Sequence, residues 1–409
     1  MAGPRPLGAV SLLALGVNGI VGVGIFFAPA DVAARAPGNL GVATFLAVAL
    51  ALSPLALTFA ALGARFDEDG GPVVYARAAF GETAAFAVGW IAYMSALAST
   101  AAVLTGLVAA TLGGSALYAL SLAAALAALV FTGLSLTATV WTAVTIAKLV
   151  PLVLLVGASL LSTATVPVDS VPVSISSTLS AALVVTFTFQ GFEIVPVVAG
   201  AARGSSRTVP FAVLASLGGA AVLYVLLQRA CVRGVADLAH ARAPLVEAAR
   251  FHGGPTLARI VEIGTSVSAL GICIGMMAMT PRYLSSLART TGLGHGLADV
   301  DTRGVPRRAL FVTLALVATL IATGSRAQLF ALSSVAVLSQ YAFTSLAMMV
   351  LARRGERGLS RIHLALGVPS LLAALAIATG ASKREWMVAA AALALGAVVR
   401  LVARKATPA

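Results

Sequence analysis

Long apolar runs follow one another along almost the whole of this chain, at about residues 8–34, 39–63, 84–111, 116–135, 140–162, 178–201, 209–232, 256–290, 308–324, 328–352, 361–380 and 386–403. A helix needs about 20 consecutive apolar residues to cross a bilayer, so these runs read as about twelve spans. This feature constrains the fold more than any other. In hydrocarbon the backbone must satisfy its own polar groups, which leaves helices and closed barrels. A barrel would show short alternating segments instead of long runs. The expected fold class is therefore an all-α integral membrane protein, a single transmembrane domain over residues 1–409. The eighth run is over-long, and its last part is expected to extend into water as an amphipathic end. The ninth is short.

Composition enters through charge. The chain is 60% hydrophobic and 10% charged, where a soluble domain carries about 25% charge. The net charge of +13 would suggest a nucleic-acid partner for a soluble protein. Here the positive-inside rule explains it, because the basic residues sit in short loops, and no nucleic-acid partner is expected. With the N-terminus placed in the cytoplasm, inner loops and ends hold 17 basic residues and outer ones 9, with Lys148 left inside a span. The bias predicts both termini in the cytoplasm and a multi-pass protein of the cell inner (plasma) membrane. The first apolar run is too long for a cleavable signal peptide and lacks a small-residue cleavage site after a short core. Cys231 and Cys273 lie in apolar runs without metal or redox spacing, and read as small buried hydrophobes.

Within the first run stands Asn18-Gly19-Ile20-Val21-Gly22-Val23-Gly24-Ile25-Phe26. Each of its three glycines is less favourable in a helix than alanine by about 1 kcal/mol. Pro29 further denies a hydrogen bond to the carbonyl of Ile25. A helix weakened in this way can open at the bilayer midplane, where bare backbone is tolerated only if it is buried in protein or lines a cavity. The half-helix resuming near Val23 would then present free N–H groups and a positive dipole end, suited to a carboxylate. The alternative is that the glycines only allow close helix packing. The sixth run carries a matching feature, Phe187-Thr188-Phe189-Gln190-Gly191-Phe192-Glu193-Ile194-Val195-Pro196, in which Gly191 precedes Pro196 by the same interval that separates Gly24 from Pro29. Two interrupted helices five spans apart point to a midplane site between inverted repeats.

Charge inside the bilayer costs on the order of 3 kcal/mol on insertion scales and is presumed functional. Lys148 and Glu193 qualify. Lys148 lies about 12 Å from the inner end of its span at 1.5 Å per residue. It either snorkels along its stem or is held as an ammonium against opened carbonyls of the first span, where it could release a proton as its surroundings change. Ser266 and Ser268 of the eighth span are candidate hydroxyl partners. Glu193 is either a cap for N–H groups at the sixth-span break or a proton carrier. Glu262, near the outer start of the eighth span, is assigned a mainly structural role. The connector at 65–82, with its Gly70-Gly71-Pro72 turn signal, suits a short interfacial helix. The external segment 235–255 suggests a surface helix starting at Pro244.

These residues also carry a family resemblance. Gly22-Val23-Gly24-Ile25-Phe26 resembles the first-helix signature of the amino acid–polyamine–organocation transporters, and Phe189-Gln190-Gly191-Phe192-Glu193 with the tail from Ala202 to Pro210 resembles its sixth. The stretch from Gly70 to Gly81 looks like its second-to-third helix connector, and that from Pro281 to Arg289 like the end of its eighth helix. The match runs in order over about residues 8–320. The resemblance, closest to proton-coupled bacterial permeases, implies alternating access by a five-plus-five inverted repeat. The first repeat would occupy 8–162 and the second 178–352, with helices 1 and 6 broken and two additional helices at 361–403. By position, the Val23 and Gly24 amides would hold the substrate carboxylate, beside Gly22 and Gly191. The carbonyls of Ile20, Phe187 and Gln190 would hold its ammonium, and the Phe187 ring would gate the site. Lys148 falls where proton-coupled members carry a fifth-helix lysine. The chain departs at Val23, where many members have serine, and at Gln190, whose side chain is unusual there. Position also places Ala96, Leu97 and Ala101 near the substrate side chain. They are apolar and face no Asp or Arg, which implies neutral L-amino acids, apolar or small, since an unpaired charge is costly in a dry site.

The expected function is proton-coupled symport of amino acids, with amino acid or amine exchange as the alternative. An intramembrane enzyme would need a nucleophile with its base, or metal-ligand spacing. His240, His252, His295 and His363 all lie in loops or at span ends, so no catalytic, metal or cofactor site is expected. A channel would show a filter loop or rings of charge. The partners implied are the amino acid, the proton and the lipid bilayer.

Overall fold

The apolar runs fold as helices. The computed structural model describes residues 8–22, 24–68, 70–111, 113–132, 138–167, 173–291 and 295–406. The helices are α1 (Ala9–Ile20), α2 (Gly24–Ala33), α3 (Asn39–Arg65), α4 (Pro72–Phe80), α5 (Glu82–Thr111), α6 (Ala116–Phe131), α7 (Ala138–Leu161), α8 (Ile175–Phe189), a 3-10 helix at Phe192–Ala201, α9 (Ser205–Gly234), α10 (Pro244–Thr291), α11 (His295–Ala298), α12 (Arg307–Thr323), α13 (Arg326–Arg353), α14 (Arg361–Ala378) and α15 (Lys383–Ala406). Among the described residues, eight segments are long and apolar enough to cross a membrane: α1 with α2, α3, α5, α8 with the 3-10 helix, α9, α10, α13 and α14. With the shorter α6, α7 and α12 and with α15, these make up the all-α membrane architecture of about twelve spans that the length rule predicts.

Local chemistry sets the ends. α4 starts at Pro72 after Gly71, whose φ of 48° a side chain would strain. At α8 the Ser174 hydroxyl accepts from the Ser177 amide at 3.1 Å, and Ser325 with Gln328 forms a capping box on α13. The 65–82 connector thus contains the expected short helix, and the 235–255 segment contains the one expected from Pro244. That second helix runs on into the eighth span as α10, interrupted only at Gly254, where φ is 75°.

Helices α1, α3, α5, α8, α9, α10 and α13 gather around the centre. α3 packs on α9, α13 on α5, and α10 on both α7 and α5. α14 lies on α3, with Thr58 and Ser370 hydroxyls 2.9 Å apart. α15 lies along α5, where Trp90 Nε1 donates to the Ala392 carbonyl at 2.7 Å. Large apolar side chains on the outer faces, such as Leu50, Val222, Leu372 and Leu401, are exposed. A belt of that kind is stable against lipid and would be an aggregation face in water.

Candidate functional site

The first span opens where its glycines stand. α1 ends at Ile20, and Val21 (φ −72°, ψ 75°) makes an inverse γ-turn closed by the Gly22 amide donating to the Ile20 carbonyl at 2.6 Å. The helix resumes at Gly24 and stays helical through Pro29. The opening therefore lies upstream of the proline, at the residues with the lowest helix propensity. The carbonyls freed at the end of α1 are taken by side chains from other helices. Lys148 of α7 donates through Nζ to Val21 O at 2.6 Å, to Asn18 O at 3.1 Å and to Asn18 Oδ1. Tyr224 of α9 donates to Ile20 O at 2.8 Å. Lys148 is 1% exposed, so it does not snorkel. Its charge sits at the negative end of a half-helix dipole, which favours a cation there.

The sixth span opens in the same plane. After α8, Gln190 is extended (φ −61°, ψ 142°) and Gly191 has φ 129°, a turn that requires glycine in its second position. Here again the break falls at the glycine, and Pro196 lies within the 3-10 helix beyond it. The Glu193 carboxylate accepts from the Gly191 amide at 2.8 Å and from the Tyr341 hydroxyl at 2.9 Å. These are the contacts of a cap at a helix N-terminus, one of the two readings open for Glu193. The two breaks touch backbone to backbone. A Cβ built on Gly191 would lie 2.2 Å from the Gly19 carbonyl carbon and 2.5 Å from the Ile20 nitrogen.

A cavity of about 250 Å³ begins at these breaks. Gly22, Gly24, Phe187, Gln190, Gly191 and Glu193 line it at the breaks, α5 supplies Ala92, Ser95, Ala96, Ser99 and Val103, and α10 supplies Ile272, Gly275, Met276 and Met279. It extends to Gly70, Pro72 and Val197 at the α4 end. Phe187 packs against Phe330 of α13, with centroids 4.3 Å apart and the rings tilted by 32°. The first turn of α2 has no preceding carbonyls of its own helix for its N–H groups, and Gly24, its first residue, lines the cavity.

The structure departs from several sequence-based placements. Leu97 and Ala101 are buried and are not on the wall. The cavity-facing residues of α5 recur every three or four positions around Ala96, and helical periodicity turns Leu97 and Ala101 away. Ser266 donates to the Glu262 carbonyl of its own helix at 3.0 Å. Ser268 is buried without a hydrogen-bond partner among the described residues. The Lys148 ammonium lies on α1 and not on these serines. The Ile20 carbonyl already accepts from both Tyr224 and Gly22, so its two lone pairs are in use in this conformation. Val23 lies outside the described residues. Glu262 pairs with Arg259 at 2.8 Å on the surface. Sequence reasoning missed Asn18 and Tyr224 as partners of the first break. Asn18 was visible as the one amide side chain in that apolar run, but nothing in the sequence brings Tyr224 to it.

With this geometry in place, the comparisons with known proteins are decisive. A family model described as "Amino acid permease" matches residues 7–402. The chain belongs to the amino acid permease family. An uncharacterized transporter of Mycobacterium tuberculosis is 32% identical over 361 residues, covering 85% of this chain and 80% of that protein. A branched-chain amino acid permease of Bacillus subtilis is 26% identical, covering 89% of this chain and 84% of its own. A glutamate/serine transporter of the same organism is 27% identical, covering 86% and 72%. As an amino acid permease, the chain is a multi-pass membrane carrier for amino acids and not an enzyme.

Proposed function

We propose that this permease is a proton-coupled symporter of neutral L-amino acids that works by alternating access. The observation that carries the proposal is the Lys148 ammonium seated on the opened end of α1 beside a cavity that contains both helix breaks. The substrate carboxylate lies against the backbone amides of Val23 and of Gly24, the first residue of α2, next to Gly22 and Gly191, where a helix N-terminus and its dipole favour an anion. Its ammonium lies toward the Phe187 and Gln190 carbonyls, with the Phe187 ring over it. Lys148 carries the proton, Glu193 holds the sixth-span break, and Ser266 and Ser268 have no direct part.

The repeat organisation has support in the packing. Exchanging residues 8–162 with 178–352 pairs α5 with α10, α6 with α12 and α7 with α13. Correspondingly, α5 packs on α12 and α13 while α10 packs on α6 and α7. Residues 361–403 form the two additional helices. With both termini in the cytoplasm of a plasma-membrane protein, the α4 end of the cavity is cytoplasmic.

A neutral substrate is favoured by the wall. Among the described lining residues Glu193 bears the one charged side chain, and its carboxylate is engaged by Gly191 and Tyr341. Two relatives are named for branched-chain amino acids and for glutamate and serine, and others for cationic amino acids, so the neutral reading rests on the wall and not on the relatives' names. Counterflow into liposomes with each common amino acid tests the reading. Exchange by neutral amino acids is expected, and exchange confined to arginine or glutamate would overturn the neutral assignment.

The carboxylate nest has its own test. A side chain at Gly24 would start 3.1 Å from the Phe187 ring and 3.3 Å from the Thr188 backbone. Gly24→Leu is expected to abolish substrate binding, measured by scintillation proximity on purified protein, while membrane insertion persists. Normal binding by that variant would place the site elsewhere.

A further inference from the structure

Beside the breaks, a chain of side-chain hydrogen bonds runs from α5 through α13 to the sixth-span opening, and its proton directions are determined. Ser334 Oγ donates to the Leu183 carbonyl at 3.0 Å. It can therefore only accept from Gln190, whose Nε2 lies 3.5 Å away. The network thereby assigns the orientation of the Gln190 amide, Nε2 toward Ser334 and Oε1 toward Ser333. Gln190 Oε1 then faces Ser333 Oγ, which donates to it at 2.9 Å. With the Ser333 proton spent, the contact of 2.6 Å between Ser99 and Ser333 must be donated by Ser99. Ser95 in turn donates to the Ser333 carbonyl at 3.2 Å.

Gln190, Ser95 and Ser99 line the cavity, while Ser333 lies fully buried behind them. The wall thus offers the cavity a carboxamide N–H from Gln190, held at the limit of hydrogen-bond length by its one partner, and lone pairs from Ser95 and Ser99. We propose that Gln190, Ser95 and Ser99 make this permease selective, among neutral amino acids, for those whose side chain carries a hydroxyl or carboxamide. Such a group accepts from Gln190 and donates to a serine. An alkyl side chain offers no acceptor to the second Gln190 N–H and no donor to the serine lone pairs, and a buried donor left unpaired is costly. A carboxylate has no proton to donate to the lone pairs of Ser95 and Ser99.

This rests on the proposed amino acid carrier, and the test separates the two. Threonine and valine match in shape and differ by hydroxyl for methyl. In counterflow by the reconstituted full chain, threonine is expected to compete at least about tenfold better than valine, the range set by one unsatisfied buried donor or acceptor. Gln190→Met and Ser99→Ala are expected to bring the threonine-to-valine ratio toward one. Ser333→Ala, which removes the hydroxyl that orients Gln190 from outside the cavity, is expected to lower it as well. Valine equal to threonine in the unmutated protein overturns the selectivity and leaves the carrier standing, as does a ratio that none of the substitutions moves. Absence of counterflow with every amino acid overturns the carrier and this inference together.

Discussion

Gly191→Ala is expected to abolish transport. Two costs coincide at this residue. Its φ of 129° is disfavoured for any residue with a Cβ. The added carbon would also fall 2.2–2.5 Å from the carbonyl of Gly19 and the nitrogen of Ile20. These neighbours are backbone, so no rotamer change relieves the clash, and the two half-open helices must move apart. Backbone strain and overpacking together cost about 3 kcal/mol, enough for roughly a hundredfold loss of the competent state at 1.4 kcal/mol per decade. Initial rates of amino acid uptake in proteoliposomes measure the loss. Gly218→Ala, where an added Cβ meets nothing within 4 Å, is the control and should transport normally. A Gly191→Ala protein with an unchanged rate would mean that the breaks do not lie against each other.

The second large effect belongs to Lys148. Its ammonium holds the carbonyls of Val21 and Asn18 together with the Asn18 side-chain oxygen. A second cation at the same carbonyls would be repelled more strongly in a low-dielectric site than in water. Uptake by the unmutated protein should therefore follow an inward proton gradient and be indifferent to exchanging sodium for potassium. Lys148→Ala removes the group proposed to carry the proton and leaves buried acceptors unpaired, each worth about 1–3 kcal/mol. Gradient-driven uptake is expected to fall at least about tenfold, while exchange of labelled for unlabelled substrate persists at a reduced level. Sodium-dependent uptake by the unmutated protein, or undiminished proton-driven uptake by Lys148→Ala, would remove Lys148 from the coupling mechanism and return the proton to Glu193.

Much of the architecture was legible because lipid leaves the backbone so few choices. Runs of apolar residues long enough to cross a bilayer had to be helices, and their order and approximate limits survive in the structure. The breaks were legible for a related reason. Gly22 and Gly24 in one run and Gly191 in another are poor helix formers at a depth where an unsatisfied backbone is costly, and such residues mark openings. Their placement was less well read. The sequence assigns both prolines a share in the opening, yet Pro29 and Pro196 lie inside helical turns, and the chain departs from helix at the glycines.

What the sequence determined by itself was the class of protein, the two interrupted spans and the presence of two ionisable residues within spans. It could not choose between a snorkelling and a buried Lys148, because the stem is long enough for both. The structure chose through a contact across 130 positions of sequence with Asn18. Nor could it say which face of α5 turns toward the cavity. Ala96 faces inward and Leu97 does not, because a rotation of the whole helix sets both, and that rotation depends on its neighbours α10 and α13. The partners of the freed carbonyls, Lys148 and Tyr224, and the hydroxyl chain from Ser99 to Gln190 join residues far apart in sequence. A local pattern records that a backbone group has been freed, but only the packed helices decide which side chain reaches it.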